Sequence, residues 1–326
     1  MKYDIIAIGS AARDVFLNSP EFKTIKDAQS PNGQDMTLPL GAKVEVKKVV
    51  FATGGSGTND AVTFARQGLK TACISIVGND INASAVIEEL TTEGIDTSLF
   101  QKHNDDATAY SVILVQDGGE RTILSYKGEG QHFESREVNF DGVESSWLMI
   151  GSLGGHLDLF EKAVSWATAN GVKIATNPGT KELDLGLEKL KPLLKQCTVV
   201  SMNQEEAGGL LGIDFKNEAE IFKGMDEIID GVFVMTNGHE GVAVSDGKNV
   251  YRAGIPDSPV VERTGAGDAF ASAFVAEYSR SGDIPKSIQL ATANASSVVT
   301  QYGAKAGILR AGDNGPWPLV EVSQTN

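Results

Sequence analysis

The sequence predicts an α/β protein: a doubly wound sheet flanked by helices, carrying a small β-sheet lid. Three observations predict it. Short apolar runs ending in Gly, Asn or Thr recur along the chain, from Tyr3–Gly9 to Gly231–Met235, and such runs read as buried parallel strands. Segments with helical apolar spacing separate them, as in Asp158–Asn170, where Leu159, Phe160, Ala163, Val164 and Ala167 share a face. Residues 15–52 break the alternation with a polar stretch followed by loosely alternating residues, the pattern of a one-sided sheet. The expected division is an α/β domain of residues 1–14, 53–100 and 128–326, with a lid of residues 15–52 and 101–127.

In chain order, Tyr3–Gly9 is the first strand rather than a signal peptide, since no basic segment leads an apolar one. Ile8-Gly9-Ser10 lacks the further glycines of a dinucleotide fingerprint, which excludes that reading. Asp14 follows the strand's C-terminal end, the edge where open α/β sheets bind ligands. Asn18–Asp35 is rich in turn formers, and Leu38–Phe51 is expected to supply lid strands, with Lys43 a solvated lysine. Gly54-Gly55 opens a helix over Asn59–Gln67. Paired glycines there let a polyhydroxy ligand approach the backbone, and Asn59 offers both a donor and an acceptor to vicinal hydroxyls. A glycine turn with an Asn cap accounts for the same residues.

Thr71–Gly78 reads as a strand and Ala83–Thr92 as a helix. Ala107–Leu114 and Arg121–Tyr126 read as strands joined by the hairpin signal Gln116-Asp117-Gly118-Gly119. Strands at Ser146–Gly151, Val172–Thr176 and Thr198–Met202, and a helix at Leu183–Leu194, resume the alternation. Asn203-Gln204-Glu205-Glu206 starts the next helix, and its spacing is that of a capping box. Gly231–Met235 ends at Thr236-Asn237-Gly238-His239-Glu240-Gly241, and Val242–Ser245 pairs with Val250–Arg252 across Asp246-Gly247. His239 is expected to be exposed. Ile288–Gln301 is a small-residue helix, and the tail after Leu309 reads as a loosely held loop.

The chemistry concentrates in Val261–Phe274. Thr264-Gly265-Ala266-Gly267-Asp268 is a glycine-rich turn running into a helix marked by Phe270, Ala273, Phe274 and Tyr278. Backbone N–H groups at such a turn are unpaired and the helix dipole adds positive charge, which makes an anion site suited to phosphoryl transfer. Asp268 sits beside it as a candidate base. An Asp N-cap after a glycine loop is the plainer account.

Bulk properties limit the rest. The chain has 326 residues, 41% hydrophobic and 22% charged, with a net charge of −15. That is a poor surface for nucleic acid or anionic membranes. No stretch reaches the roughly 18 apolar residues of a membrane span. Cys73 and Cys197 are the only cysteines, so a disulfide framework is excluded and a cytoplasmic setting is expected.

Thr264–Phe270 resembles the second signature of the ribokinase-like (PfkB) carbohydrate kinase family. Gly54–Gly68, G-G-S-G-T-N-D-A-V-T-F-A-R-Q-G, resembles its first signature, and Val77-Gly78-Asn79-Asp80 the segment that follows. The likeness covers Ile5 to about Leu309. It implies a ribokinase-like fold and transfer of the ATP γ-phosphoryl group to a hydroxymethyl group of a small sugar. It implies Asp268 as base, and Gly265, Ala266 and Gly267 as the anion hole. Asp14, Gly54, Gly55 and Asn59 would hold the acceptor. Thr236, Gly238, Gly241, Asn294 and Asn203 would serve the nucleotide, and Glu206 would organise Mg2+. A nucleoside kinase shares every one of these catalytic residues, and a sugar or nucleotide sensor on the same fold is the non-enzymatic alternative. Family lids often pair edge to edge, implying a homodimer through the lid.

Three departures qualify the likeness. Ser56 stands where ribokinases proper carry Lys, which argues against ribose itself. Asn177 stands where many relatives have Asp. Glu262-Arg263 replaces the Asp-Thr that contributes to a monovalent-cation site, so weak or absent potassium activation is expected, with Arg263 a substitute charge or a phosphate contact.

Overall fold

The computed structural model describes residues 2–30, 33–116, 119–134 and 138–325. Asp117 and Gly118 of the expected hairpin turn, and Pro31 and Asn32 of the polar stretch, lie outside them.

Among the described residues the main sheet has nine strands. Six run parallel, in the spatial order Thr71–Ile74, Lys2–Ile8, Glu144–Ile150, Lys173–Thr176, Val199–Asn203 and Val232–Thr236. Val242–Ser245, Val250–Ala253 and Ser323–Thr325 then extend it antiparallel. Strand residues alternate between two cores. Ile6, Ile8, Leu148, Ile150 and Phe233 meet Leu159, Phe160, Leu190 and Ile221 on one face. Ile5, Ala7, Met149, Val232 and Val234 meet Phe64, Val86, Phe270 and Phe274 on the other. Helices thus cover both faces, which is why the strands read as continuous apolar runs rather than alternating ones.

A second sheet of four strands stands apart, in the order Arg121–Tyr126, Ala109–Val115, Ala12–Asn18, Lys48–Gly54. Its register places Asp14 between Ser111 and Ala52. One face buries Phe16, Ile113 and Val115 with Val50, Ala52 and Tyr302 packed against them. On the opposite face Phe51, Val15, Val112 and Leu124 line up across the four strands.

Several boundaries differ from the sequence reading. The second sheet begins at Ala12, so Asp14 belongs to a strand of that sheet. Leu38–Lys47 forms no strand, and the polar stretch instead yields a two-stranded ribbon, Lys23–Lys26 with Gln34–Thr37. Thr71–Gly78 is split, since Ile76–Gly78 leaves the main sheet to pair with Gln101–His103. The helix expected over Leu183–Leu194 is two, Thr180–Leu183 and Leu187–Leu194, separated at Gly186. Glu218–Asp226 is a helix that the reading passed over, burying Ile221, Phe222 and Met225. The tail is held: Gln324 pairs with Tyr251, and Gln289 Nε2 donates to the Val320 carbonyl at 3.0 Å. No helix among the described residues is long and apolar enough to cross a membrane.

Candidate active site

Two helix N-termini converge at the C-terminal edge of the parallel strands. The first helix, Ser56–Arg66, follows Gly55. A Cβ on Gly54 would lie 2.0 Å from Asp14 Oδ2, so the room that glycine leaves is filled by the Asp14 carboxylate. Asp14 is 5% exposed. Burial raises its pKa, against the Ser111 hydroxyl and the charges of Lys305 and Arg13, which lower it.

The second helix, Ala266–Ser281, starts after Gly265, whose φ of 79° is left-handed. A Cβ at Gly265 would also come 2.3 Å from Ala304 Cβ, so both conformation and packing require glycine. A Cβ on Gly267 would meet no protein atom within 4 Å, so that side of the turn is open. The amides of this first turn have no carbonyl partner inside the helix. Asp268 lies in the same turn.

One side-chain hydrogen bond joins the two helices at this end. Asn59 Nδ2 donates to Asp268 Oδ2 at 2.7 Å. Asn59 is buried, and its Oδ1 has no donor among the described residues. A buried acceptor with no donor is one that a ligand hydroxyl would satisfy. Burial raises the Asp268 pKa, while the Asn59 bond and the Lys305 charge oppose the rise. Asp60, the next residue, is buried and its pKa is driven well up, first by burial and then by the Asp268 charge.

The nucleotide residues fall into two groups. Asn203 and Thr236 are paired across adjacent strands at the same edge. Asn203 and Glu206 form a reciprocal capping box: Asn203 Oδ1 accepts from the Glu206 amide and Glu206 Oε2 from the Asn203 amide, each at 2.8 Å. Burial raises the Glu206 pKa, and the Asp268 charge adds to the rise against that amide bond. Thr236 leads into the turn Gly238–Glu240, closed by the Asn237 amide on the Gly241 carbonyl at 2.8 Å. His239 is exposed, as expected.

Asn294 does not join them. It is fully buried, its Nδ2 donates to the Ala269 carbonyl at 2.8 Å and its Oδ1 accepts from the Leu309 amide at 2.8 Å. Both ends are spent on tying two helices to the chain beyond them. This matches the plain buried-helix account and departs from the nucleotide role that the resemblance implied.

The departures from the family pattern acquire structural roles. Ser56 Oγ accepts from the Ser152 amide at 2.9 Å and lies 3.3 Å from Ser10 Oγ. Asn177 Nδ2 donates to the Ser201 carbonyl at 2.9 Å, linking two strand ends. Glu262 is fully buried and accepts from the Thr264 amide at 2.6 Å and the Gly303 amide at 3.3 Å. Arg263 turns away to Glu120, 2.8 Å distant, with both side chains largely exposed. That contact points it to the lid hairpin rather than to a phosphate.

Sequence reasoning missed three residues here. Arg121, on a strand of the second sheet, donates from Nε to Thr264 Oγ1 at 3.0 Å and so links that sheet to the anion turn. Asp60 and Lys305 are the others. Lys305 is 3% exposed. A lone lysine after a helix end carries no periodic signal, and only its three-dimensional surroundings show it to be internal.

Among the described residues no group of three or more His, Cys, Asp or Glu side chains gathers as a metal cage. Glu206, at the start of its helix and bonded to the Asn203 amide, is a single carboxylate at the strand edge. One such oxygen donor suits a magnesium ion that keeps its waters and is held largely by phosphates.

Comparison with known proteins gives the family and the fold. The model of the pfkB family of carbohydrate kinases matches residues 3–310. A ribokinase of Haemophilus influenzae is 28% identical over 315 residues, covering 94% of this chain and 96% of its own. A nucleoside kinase of Methanothermobacter thermautotrophicus is 25% identical over 310 residues, covering 95% and 94%. The crystal structure of adenosine kinase from Sinorhizobium meliloti superposes with a TM-score of 0.77 at 24% identity, covering 94% of this chain and 96% of that one.

Proposed function

The chain belongs to the pfkB family of carbohydrate kinases, and from that premise we propose that it transfers the γ-phosphoryl group of ATP to a hydroxymethyl hydroxyl of a small sugar. The observation that carries the assignment is the Asn59–Asp268 hydrogen bond, 2.7 Å long, between the helix that would hold the acceptor and the helix that would hold the phosphoryl group. It supports the reading because Asp268, the proposed base, shares the first turn of its helix with the proposed anion hole and bonds the amide proposed to bind the acceptor.

In this mechanism Asp14 and Asn59 orient the acceptor. Its hydroxyl points at the Asp268 carboxylate, which takes the proton as the new O–P bond forms. The bond between the γ-phosphorus and the ADP oxygen breaks, and ADP leaves with the electron pair. Amides of Gly265, Ala266 and Gly267 hold the equatorial oxygens, whose charge grows in the transition state. Magnesium, when bound, neutralises phosphate charge, and Glu206 with Asn203 would hold it through waters. Thr236, Gly238 and Gly241 line the nucleotide edge. The four-stranded sheet, with the 15–52 and 101–127 segments around it, acts as the lid that excludes water.

A nucleoside acceptor is the second reading. Likeness to the archaeal nucleoside kinase supports it, and every catalytic role is unchanged by it. Two buried free thiols, Cys73 and Cys197, suit a cytoplasmic setting. The exposed apolar face of the lid suits a homodimer.

The test is ATP consumption with magnesium across pentoses, hexoses, hexose phosphates and nucleosides. Turnover with free sugars alone supports the sugar kinase. Turnover with nucleosides alone moves the acceptor and keeps the residues. Nucleotide binding with no turnover on any acceptor overturns the enzymatic assignment in favour of a sensor.

A further inference from the structure

The residues after the last long helix form a hub behind the acceptor site. Gly303 meets Glu262 through its amide, and a Cβ there would come 3.0 Å from Ala52 Cβ on the lid strand. Ala304 packs against Gly265 of the anion turn. The Lys305 carbonyl accepts from Arg66 Nη1 at 2.7 Å, at the end of the acceptor helix. The Lys305 ammonium donates to Thr53 Oγ1 at 2.5 Å, and lies 3.3 Å from Glu89 Oε2 on the helix Ile81–Thr92. Thr53 also bonds Glu89, and is the neighbour of Gly54, which clears the space for Asp14. A buried lysine is costly unless opposite charges face it. Here the opposite charge in contact is Glu89, and the strand that the ammonium holds is the one packed against Asp14.

We propose that Lys305 is a positioning residue of the transfer reaction, a buried ammonium that ties the lid strand Lys48–Gly54, through Thr53, to the floor of the acceptor site beside the Asp14 carboxylate. The proposal rests on the functional reading above for the role of Asp14. Its charge balance is local. Arg13 and Asp14 face the cluster from the lid strand, Glu89 from the helix Ile81–Thr92 and Cys73 from the main sheet. Asp60, beside Asn59, and Glu206 face Asp268 from two further helices. Arg66 is occupied by Glu93, at 2.6 Å. The Lys305 charge favours the ionised form of both Asp14 and Asp268, whereas Asp60 and Glu206 oppose it at Asp268 and Glu89 opposes it at Asp14. Burial lowers the pKa of Lys305 itself, against the charges of Glu89 and Asp14.

The experiment reads the Asp14 carboxylate directly and does not depend on turnover. The full chain is labelled at aspartate Cγ with carbon-13, and the Asp14 signal is assigned with Asp14→Asn. The expected result for Lys305→Met is an upward move of the Asp14 titration midpoint by about 1 pH unit, the scale of one nearby opposite charge. Thr53→Val, which removes the hydroxyl that receives the ammonium, is expected to move the Asp14 midpoint upward by a smaller amount, and it decides the matter where Lys305→Met does not fold. An unmoved Asp14 midpoint in a folded Lys305→Met protein, or in Thr53→Val, overturns the proposal. The same variants also separate the proposal from the functional reading. A moved Asp14 midpoint in a protein that phosphorylates nothing would uphold the electrostatics and sink the kinase assignment. Turnover with an Asp14 midpoint identical in wild type and Lys305→Met would do the reverse.

Discussion

At the residue scale, the proposed chemistry rests on Asp268 being ionised inside a partly closed site. Burial raises its pKa, so the carboxylate is lost at a higher pH than an ordinary aspartate, about 3.9. The base works only when deprotonated. Activity should therefore fall as pH drops through that raised value, and the acid limb of kcat/KM should lie above the ordinary carboxylate range. Asp268→Asn should lower kcat at least ~10²-fold and abolish that limb. A pH–rate profile of both proteins checks this, and near-full turnover in the variant would remove Asp268 from the mechanism. Gly54 gives a second prediction. A Cβ there would sit 2.0 Å from Asp14 Oδ2, and the carboxylate would have to move. Gly54→Ala should reduce kcat/KM for the acceptor by about 10²-fold, the cost of an ångström-scale misplacement, while the KM for ATP holds. Equal losses for both substrates would point instead to a collapsed fold.

At the element scale, the sequence was most legible where one local rule decides. Arg121–Tyr126 and Val242–Ser245 have the bounds that alternation and turn residues predict. The glycine turn at Gly265 precedes its helix because left-handed backbone and tight packing both demand glycine. The candidate site was legible only as types in order. Nothing in the spacing shows that Asn59 bonds Asp268 across 209 positions, or that Lys305 is buried. Long-range pairing also decided the tail, where Ser323–Thr325 is a strand only because Val250–Ala253 offers it an edge. Asn294 is instructive in the same way: its type and place suit a nucleotide ligand, yet its amide is consumed by Ala269 and Leu309. Asn294→Ala would strand the buried Leu309 amide, while the Ala269 carbonyl keeps its partner within the helix, and should cost about 1 to 3 kcal/mol in urea unfolding. The KM for ATP should stay unchanged, and a large rise in it without loss of stability would restore the ligand role. The segment before the anion turn carries a further expectation. Glu262 already receives the Thr264 and Gly303 amides with both oxygens, and it is fully buried. Replacing sodium by potassium should therefore leave turnover unchanged; marked stimulation by potassium would show that this carboxylate releases an amide to a cation.

At the scale of the whole molecule, the lid has two faces with different tasks. One carries Asp14 and Phe16 towards the body, where Tyr302 packs edge-on to Phe16 at 6.1 Å. The other carries Val49, Phe51, Leu124 and Tyr126, which are 45%, 63%, 56% and 49% exposed. These four belong to one face, since Phe51 aligns with Val15, Val112 and Leu124, and Tyr110 with Tyr126. An exposed apolar sheet face of this kind marks an interaction surface more often than a solvated one. A second copy of the chain suits it, because a twofold contact needs a single self-complementary patch. The expectation drawn from sequence was pairing edge to edge, and the exposed side chains favour pairing face to face. The lid strands also carry Asp14 and Arg121, so a partner that fixes the lid would fix the acceptor site with it. Sedimentation velocity should then find a dimer in the wild-type protein and a monomer in Phe51→Glu/Leu124→Glu, with the KM for the acceptor raised in the monomer and its thermal unfolding little changed. A wild-type protein that sediments as a monomer across the concentration range would mean that this apolar face meets no second copy. A dimer that survives both substitutions would place the contact on the lid edges or elsewhere on the surface.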